Sequence, residues 1–127
     1  MAARFRELLI QLSPNPTQEA VVLICLNSRN QEIGNRLISM GTSTQALIGV
    51  ADTLRSALLL GGTAFAISHN HPSGDPLPSC ADMRITRSLK DGALAIGLNF
   101  HDHIVIGEAS NDPQGVGYYS FKQAGAI

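Results

Sequence analysis

Two histidines, a serine and an aspartate lie close together in the segment from His69 to Asp82, which reads HNHPSGDPLPSCAD. Residues 63–68, TAFAIS, form a short apolar run without helix caps, which predicts a buried strand leading into His69. Side chains alternate between the two faces of a strand, so His69 and His71 share one face. Imidazoles at this spacing can converge on a single metal ion.

The loop after His71 is rich in residues that oppose regular structure: Pro72, Gly74, Pro76 and Pro78. Ser79 is suited to cap a helix that starts near Cys80, and this places Asp82 in the first turn. The loop and the helix start therefore bring a carboxylate back to the histidines. Two nitrogens and one oxygen with an open fourth position are the ligand pattern of catalytic zinc, whereas structural zinc sites usually have four protein ligands.

Each of these residues also has an interpretation without chemistry. Ser79 and Asp82 fit the S-x-x-D signature of a helix start. His69 and His71 could be strand-end residues that hydrogen-bond to backbone. The combination of all four within fourteen residues favours the metal site. Capping is also compatible with a serine hydroxyl that points at a bound water molecule.

The spacing H-x-H-x7-S-x2-D matches the motif of JAMM (JAB/MPN) metalloproteases at every fixed position. The chain resembles the bacterial RadC branch in particular, through the string SHNHPSGDPLPS, Thr86, the run Asp102 to Gly107 and the run Tyr119 to Phe121. The resemblance runs from about Glu19 to the C-terminus.

This resemblance implies a three-layer α/β/α domain, a mixed sheet flanked by helices that is related to the cytidine deaminase fold. It also implies a zinc ion (Zn2+) held by His69, His71 and Asp82, with Ser79 stabilising an oxyanion. A deaminase itself is excluded, because its P-C-x-x-C segment is missing.

JAMM sites also require an upstream glutamate as general base, and Glu19 is the candidate. It precedes the apolar run Ala20 to Leu26, a predicted central strand, and the resembling families place their glutamate at the entry to this strand. A carboxylate there can take a proton from the attacking water and pass it to the leaving amine. Glu7 and Glu32 are weaker candidates. A solvated Glu19 without a catalytic role stays an open alternative.

His101 and His103 flank Asp102 near a predicted strand start. We interpret them as strand-end residues and not as a second metal site, because no further carboxylates cluster at ligand spacing. Asp102 or His103 could nevertheless orient a metal-ligating histidine from behind it.

Hydrophobic periodicity and turn residues predict the remaining elements. They are a helix over Arg4 to Leu12, a hairpin of Ala20 to Leu26 with Glu32 to Met40, a capping cluster at Gly41 to Thr44, a helix with an apolar stripe of Leu47, Ala51, Leu54 and Leu58, a helix over Cys80 to Asp91, and a strand over Asp102 to Ile106. This alternation of strands and helices favours a mixed sheet flanked by helices.

Length and composition predict a single domain over residues 1–127, with 44% hydrophobic and 15% charged residues. No signal peptide or membrane-spanning stretch is evident, so we expect a cytoplasmic protein without membrane contact. The oligomeric state stays open.

Charge argues against direct DNA binding by this domain. Nine Lys and Arg residues face ten Asp and Glu residues, which gives a net charge of −1 and no positive surplus for phosphate contacts. Longer RadC-like proteins carry a helical N-terminal region associated with DNA binding, and this chain is expected to be too short to hold it. The leading hypothesis is a zinc hydrolase acting on peptide or isopeptide bonds of a peptide or protein substrate. The alternatives are a DNA-repair accessory protein and a non-catalytic MPN binding module.

Overall fold

The computed structural model describes residues 1–15, 17–41 and 48–127. Its five-stranded sheet has the order β2-β1-β3-β4-β5. The strands are β1 (Glu19–Leu26), β2 (Glu32–Gly41), β3 (Ala64–Asn70), β4 (Asn99–Ile106) and β5 (Tyr118–Ser120). Strands β3 and β4 are parallel, while the other neighbouring pairs are antiparallel, so the sheet is mixed.

Helices cover both faces of the sheet. They are α1 (Ala2–Leu12), α2 (Val50–Leu60) and α3 (Cys80–Ala95), and a short 3-10 helix spans Ala109–Asn111. Helix α1 packs on the face that carries Val22 and Ile24, whereas α2 and α3 pack on the face that carries Leu23 and Ile67. The predicted α/β/α arrangement is confirmed. Every residue of β1 is buried, as expected for a strand covered on both sides.

The predicted apolar stripe of α2 was correct for Leu54, which packs against the core, and wrong for Ala51 and Leu58. The helix begins at Val50, and its buried residues are Thr53, Ser56 and Ala57, whereas Leu58 is 54% exposed and Ala51 is exposed as well. The reason is close packing against β1, where the Cys25 thiol lies 3.7 Å from the Ala57 carbonyl oxygen. Small residues therefore form the fully buried part of this face, while Val50, Leu54 and Leu60 pack beside them and stay partly exposed. Leu47 and the proposed capping residues 42–44 lie outside the described residues.

Helix α3 extends four residues beyond its predicted end at Asp91, to Ala95. Leu89 is fully buried against the sheet, and Ile85 is half-buried beside the same core. Both side chains point inward, as the helical spacing predicted. Within the described ranges, the helices are too short or too polar to cross a membrane.

Leu89 and Leu94 on α3 offer a matched test of this packing. Leu89→Ala should lower the free energy of unfolding by about 2 to 5 kcal/mol, because it opens a cavity in the core. Leu94 is 78% exposed, so Leu94→Ala should change it by no more than about 0.5 kcal/mol. Urea denaturation of both variants measures the difference. Equal effects would contradict the placement of α3.

Candidate metal centre

Strand β3 places two histidine side chains on one side of the sheet. His69 lies in the strand and pairs with Val21 of β1, and the backbone N–H of His71, just past the strand end, donates to the Ile106 carbonyl at 2.9 Å. Between them, the Asn70 side chain binds the Ala20 N–H at 2.8 Å and the Gln18 carbonyl at 2.9 Å. The Nε2 atoms of His69 and His71 are consequently only 3.1 Å apart.

The start of α3 brings the carboxylate of Asp82 to these histidines. Ser79 is the N-cap, and its hydroxyl oxygen accepts the Asp82 N–H at 3.0 Å while the Ser79 N–H donates to Asp82 Oδ2 at 2.9 Å. Asp82 Oδ1 lies 3.3 Å from His69 Nε2, and Asp82 Oδ2 lies 3.3 Å from His71 Nε2. The capping box and the carboxylate contacts thus coexist on one residue.

His69, His71 and Asp82 form a group that could hold a metal ion, with ligand atoms that all lie within 4.8 Å of one another. Two ligands of a tetrahedral zinc ion, each at about 2.0 to 2.1 Å from the metal, are separated by about 3.3 Å. The two histidine Nε2 atoms, 3.1 Å apart, are close to this spacing, and each of them lies 3.3 Å from one Asp82 oxygen, His69 from Oδ1 and His71 from Oδ2. No other group of this kind occurs among the residues that the structure describes.

The loop between the ligands orients His71. Its Nδ1 lies 2.9 Å from the Asp75 carbonyl oxygen, which can only accept a hydrogen bond, so Nδ1 carries the proton and a neutral ring presents a bare Nε2. Asp75 also accepts the Leu77 N–H at 3.0 Å, in the turn that the sequence predicted. A Cβ at Gly107 would lie 2.2 Å from the Gly74 carbonyl oxygen. Glycine therefore allows the loop to rest directly on the end of β4.

A second row of polar residues lies behind His69. His103 Nε2 is 2.9 Å from His69 Nδ1, and His103 Nδ1 is 2.6 Å from the Thr86 hydroxyl. The Thr86 hydroxyl in turn donates to the Asp82 carbonyl at 2.7 Å. The contact expected from either Asp102 or His103 is made by His103.

The interpretation of His103 as a strand-end residue was wrong. It is the fifth residue of β4 and is fully buried. Asp102 binds elsewhere, accepting from the Ser120 hydroxyl and the Lys122 N–H. The contact of Thr86 was not predicted, although its position one helical turn after Asp82 is a signal that could have indicated it.

Glu19 begins β1 and is buried, with 8% of its surface exposed. Glu19 shares a face of β1 with Val21, and Val21 lies opposite His69 of β3. Glu19 therefore lies on the side of the sheet that carries His69, His71 and Asp82. Burial raises the pKa of Glu19, against the opposing attraction of His69 and His71. The two weaker candidates, Glu7 and Glu32, instead pair with Arg4 at 3.1 and 2.8 Å on the exposed surface.

Burial and contacts within the group act in opposite directions on Asp82 and His71. Burial opposes ionisation of Asp82, but its close contacts with His69 and His71 hold the pKa of this carboxyl well below the usual range. Burial likewise opposes protonation of His71, yet Asp82 and the Asp75 carbonyl together raise the pKa of His71. The site therefore attracts a positive charge, whether that charge is a proton or a metal ion.

Comparison with known proteins shows the family of this chain. The sequence model of the RadC-like JAB domain matches residues 2–126. A UPF0758 protein from Pelodictyon phaeoclathratiforme is 37% identical over 114 residues, which is 90% of this chain and 48% of that protein. One from Thermotoga maritima is 34% identical over 110 residues, 87% of this chain and 46% of that protein.

A further UPF0758 protein, from Carboxydothermus hydrogenoformans, is 40% identical over 91 residues, 72% of this chain and 40% of that protein. The chain thus spans about half the length of the curated relatives it matches. With the family model matched over nearly its whole length, the chain belongs to the RadC-like JAB domain family, a domain of the JAMM/MPN type.

Proposed function

We propose that this domain is a zinc-dependent metallohydrolase of JAMM type that cleaves peptide or isopeptide bonds. The observation that supports it best is the convergence of acceptor atoms. His71 Nδ1 donates to Asp75, so its Nε2 faces the Asp82 carboxylate and His69 Nε2 as an acceptor. Acceptors held this close repel one another unless a cation lies between them.

The donor set favours zinc over other ions. Imidazole nitrogens suit zinc, whereas magnesium and calcium prefer sites made of oxygen ligands. Three protein ligands with a fourth position open are the arrangement of catalytic zinc sites. His69, His71 and Asp82 would hold the ion. When bound, it would polarise the scissile carbonyl and lower the pKa of a water molecule to about 7.

Two further side chains complete the proposed chemistry. Glu19 would accept a proton from the attacking water and deliver it to the leaving amine, and its raised pKa suits a group that must both take and release a proton. The Ser79 oxygen already accepts the Asp82 N–H. Its own hydroxyl proton therefore remains able to donate to the developing oxyanion.

The proposed substrate is a peptide or protein. Of the two alternatives, the DNA-repair accessory protein has less support, because the net charge of −1 gives no positive surplus for phosphate contacts. The non-catalytic MPN binding module differs from the hydrolase in an observable way, since a pure scaffold has no need for a metal ion at an open site. A measurement of metal content therefore distinguishes the hydrolase from the non-catalytic binding module.

The first prediction of the proposed function concerns metal content. Wild-type protein should contain about one zinc ion per chain, and His71→Ala should contain none, because two ligands cannot hold the ion. His101→Ala is the matched control, since this histidine lies in β4 outside the metal group, and it should retain the zinc. Elemental analysis decides. Absence of metal from the wild type, even after zinc is supplied, would favour a non-catalytic MPN binding module.

The second prediction concerns the proposed base. Glu19→Gln keeps the size of the side chain but removes its ability to accept a proton, so it should retain zinc and lose hydrolysis by about 100- to 10,000-fold. Release of free amine from peptide and isopeptide-linked substrates measures turnover. Glu7→Gln, at an exposed position, should have wild-type activity. Full turnover by Glu19→Gln would show that the base is another group.

The third prediction concerns pH. A raised folded-state pKa means that protonation of His71 stabilises the metal-free protein below the ordinary histidine pKa of about 6.5, and that this stability is lost as pH rises through the raised value. Zinc competes with the same proton, so its affinity should change in the opposite sense and fall as pH falls through that value.

Unfolding of EDTA-treated protein and zinc titrations, both between about pH 6 and 8.5, measure the two trends around the ordinary histidine pKa. His71→Ala serves as the control and should lack the contribution of this residue to the stability trend. Zinc affinity that does not change over this range would contradict the assignment of His71 as a ligand.

A further inference from the structure

A continuous hydrogen-bonded path connects two of the three candidate ligands, His69 and Asp82, through two residues outside the candidate ligand set. It runs from His69 Nδ1 to His103 Nε2 at 2.9 Å, from His103 Nδ1 to the Thr86 hydroxyl at 2.6 Å, and from that hydroxyl to the Asp82 carbonyl at 2.7 Å. We propose that Thr86 and His103 are positioning residues that fix the tautomer of His69, so that its Nε2 lone pair always faces the metal position.

The direction of the path follows from its last member. The Asp82 carbonyl oxygen can only accept a hydrogen bond, so the Thr86 hydroxyl donates its single proton to that oxygen. The Thr86 oxygen must then accept from His103, which places the proton of a neutral His103 ring on Nδ1. His103 Nε2 is left as an acceptor.

The same assignment of donors and acceptors determines the tautomer of His69. Because His103 Nε2 accepts, His69 Nδ1 must carry the proton of its ring, and His69 Nε2 is bare. If the path ran in the opposite sense, His69 Nε2 would carry a proton at the position of the ion. One main-chain carbonyl thus decides whether His69 can act as a ligand.

The surroundings of His103 keep this arrangement in place. Its ring is fully buried and stacks on Phe121, with centroids 4.7 Å apart and planes 7° from parallel. Its backbone N–H donates to Asp102, and its carbonyl accepts the Phe121 N–H at 3.0 Å. Burial away from water disfavours a charged imidazolium, and stacking opposes rotation of the ring.

Thr86 provides a matched pair of substitutions. Thr86→Val has nearly the same shape but lacks the hydroxyl, so His103 Nδ1 loses its acceptor. Thr86→Ser keeps the hydroxyl and loses only a methyl group. A purely structural role would be affected by the loss of packing, whereas the proposed role depends on the hydroxyl alone.

The inference rests on the proposed function for its purpose, but its test does not need metal or activity. The full chain is labelled with 15N at histidine, stripped of metal, and studied at about pH 8, above the ordinary histidine pKa of about 6.5. Long-range 1H–15N correlation spectra show which ring nitrogen carries the proton. In the wild type, His69 and His103 should both be protonated at Nδ1.

In Thr86→Val, both rings should change to protonation at Nε2, while Thr86→Ser should keep the wild-type pattern. A wild-type His69 protonated at Nε2 would overturn the inference, as would a Thr86→Val spectrum that matches the wild type. Should Thr86→Val fail to fold, the wild-type spectrum still decides.

Zinc affinity gives a second readout. Competition with a chromophoric chelator should show a loss of about 10- to 100-fold in Thr86→Val, the usual effect of removing a partner of a metal ligand, and near wild-type affinity in Thr86→Ser. The two failures are distinguishable. A wild type that binds no zinc contradicts the proposed function and leaves the tautomer result standing, whereas zinc binding without the predicted tautomer contradicts this inference alone.

Discussion

The candidate site depends on the register of β3 between its two neighbours. Val21 of β1 lies opposite His69, and Ile67 of β3 lies opposite His103 of β4. Since side chains alternate along strands, this register places Glu19, His69 and His103 on the face that α3 covers. A shift by one residue would move a whole strand's side chains to the opposite face. The buried apolar residues that fix the strand register therefore also bring Glu19, His69 and His103 to the same face of the sheet.

A second constraint is the double use of Asp82. Its carboxylate closes the capping box of α3 by accepting the Ser79 N–H, and the same oxygen lies 3.3 Å from His71 Nε2. The start of α3 and the cluster of His69, His71 and Asp82 consequently depend on the same side chain. This explains how a residue in a rigid loop-to-helix junction reaches the end of a strand without a long flexible connection, and it ties the geometry of the ligands to the stability of the helix.

Local spacing was sufficient to predict the strand that carries His69, the helix cap at Ser79 and the convergence of His69, His71 and Asp82, because these features depend on residues close together in the chain. The burial of Thr53, Ser56 and Ala57 in α2 was not predictable in this way. It depends on how near the helix approaches β1, where Cys25 meets Ala57. The contact between Thr86 and His103 was not predicted either, because it joins a helix and a strand whose relative placement is determined only by the packed fold. The coarse fold followed from alternation, whereas contacts between distant elements did not.

The exposure of the polar residues shows from which side the site can be reached. His103 is fully buried, the His69 side chain is 5% exposed, and the side chains of His71 and Asp82 are 17% and 15% exposed. Burial thus decreases from the interior towards the loop and the exposed Ser79 at the start of α3. The side of the group formed by His71 and Asp82 is therefore the one nearer to solvent. On the opposite side, His103 and its contact with His69 are shielded from solvent, which keeps water from competing for that hydrogen bond.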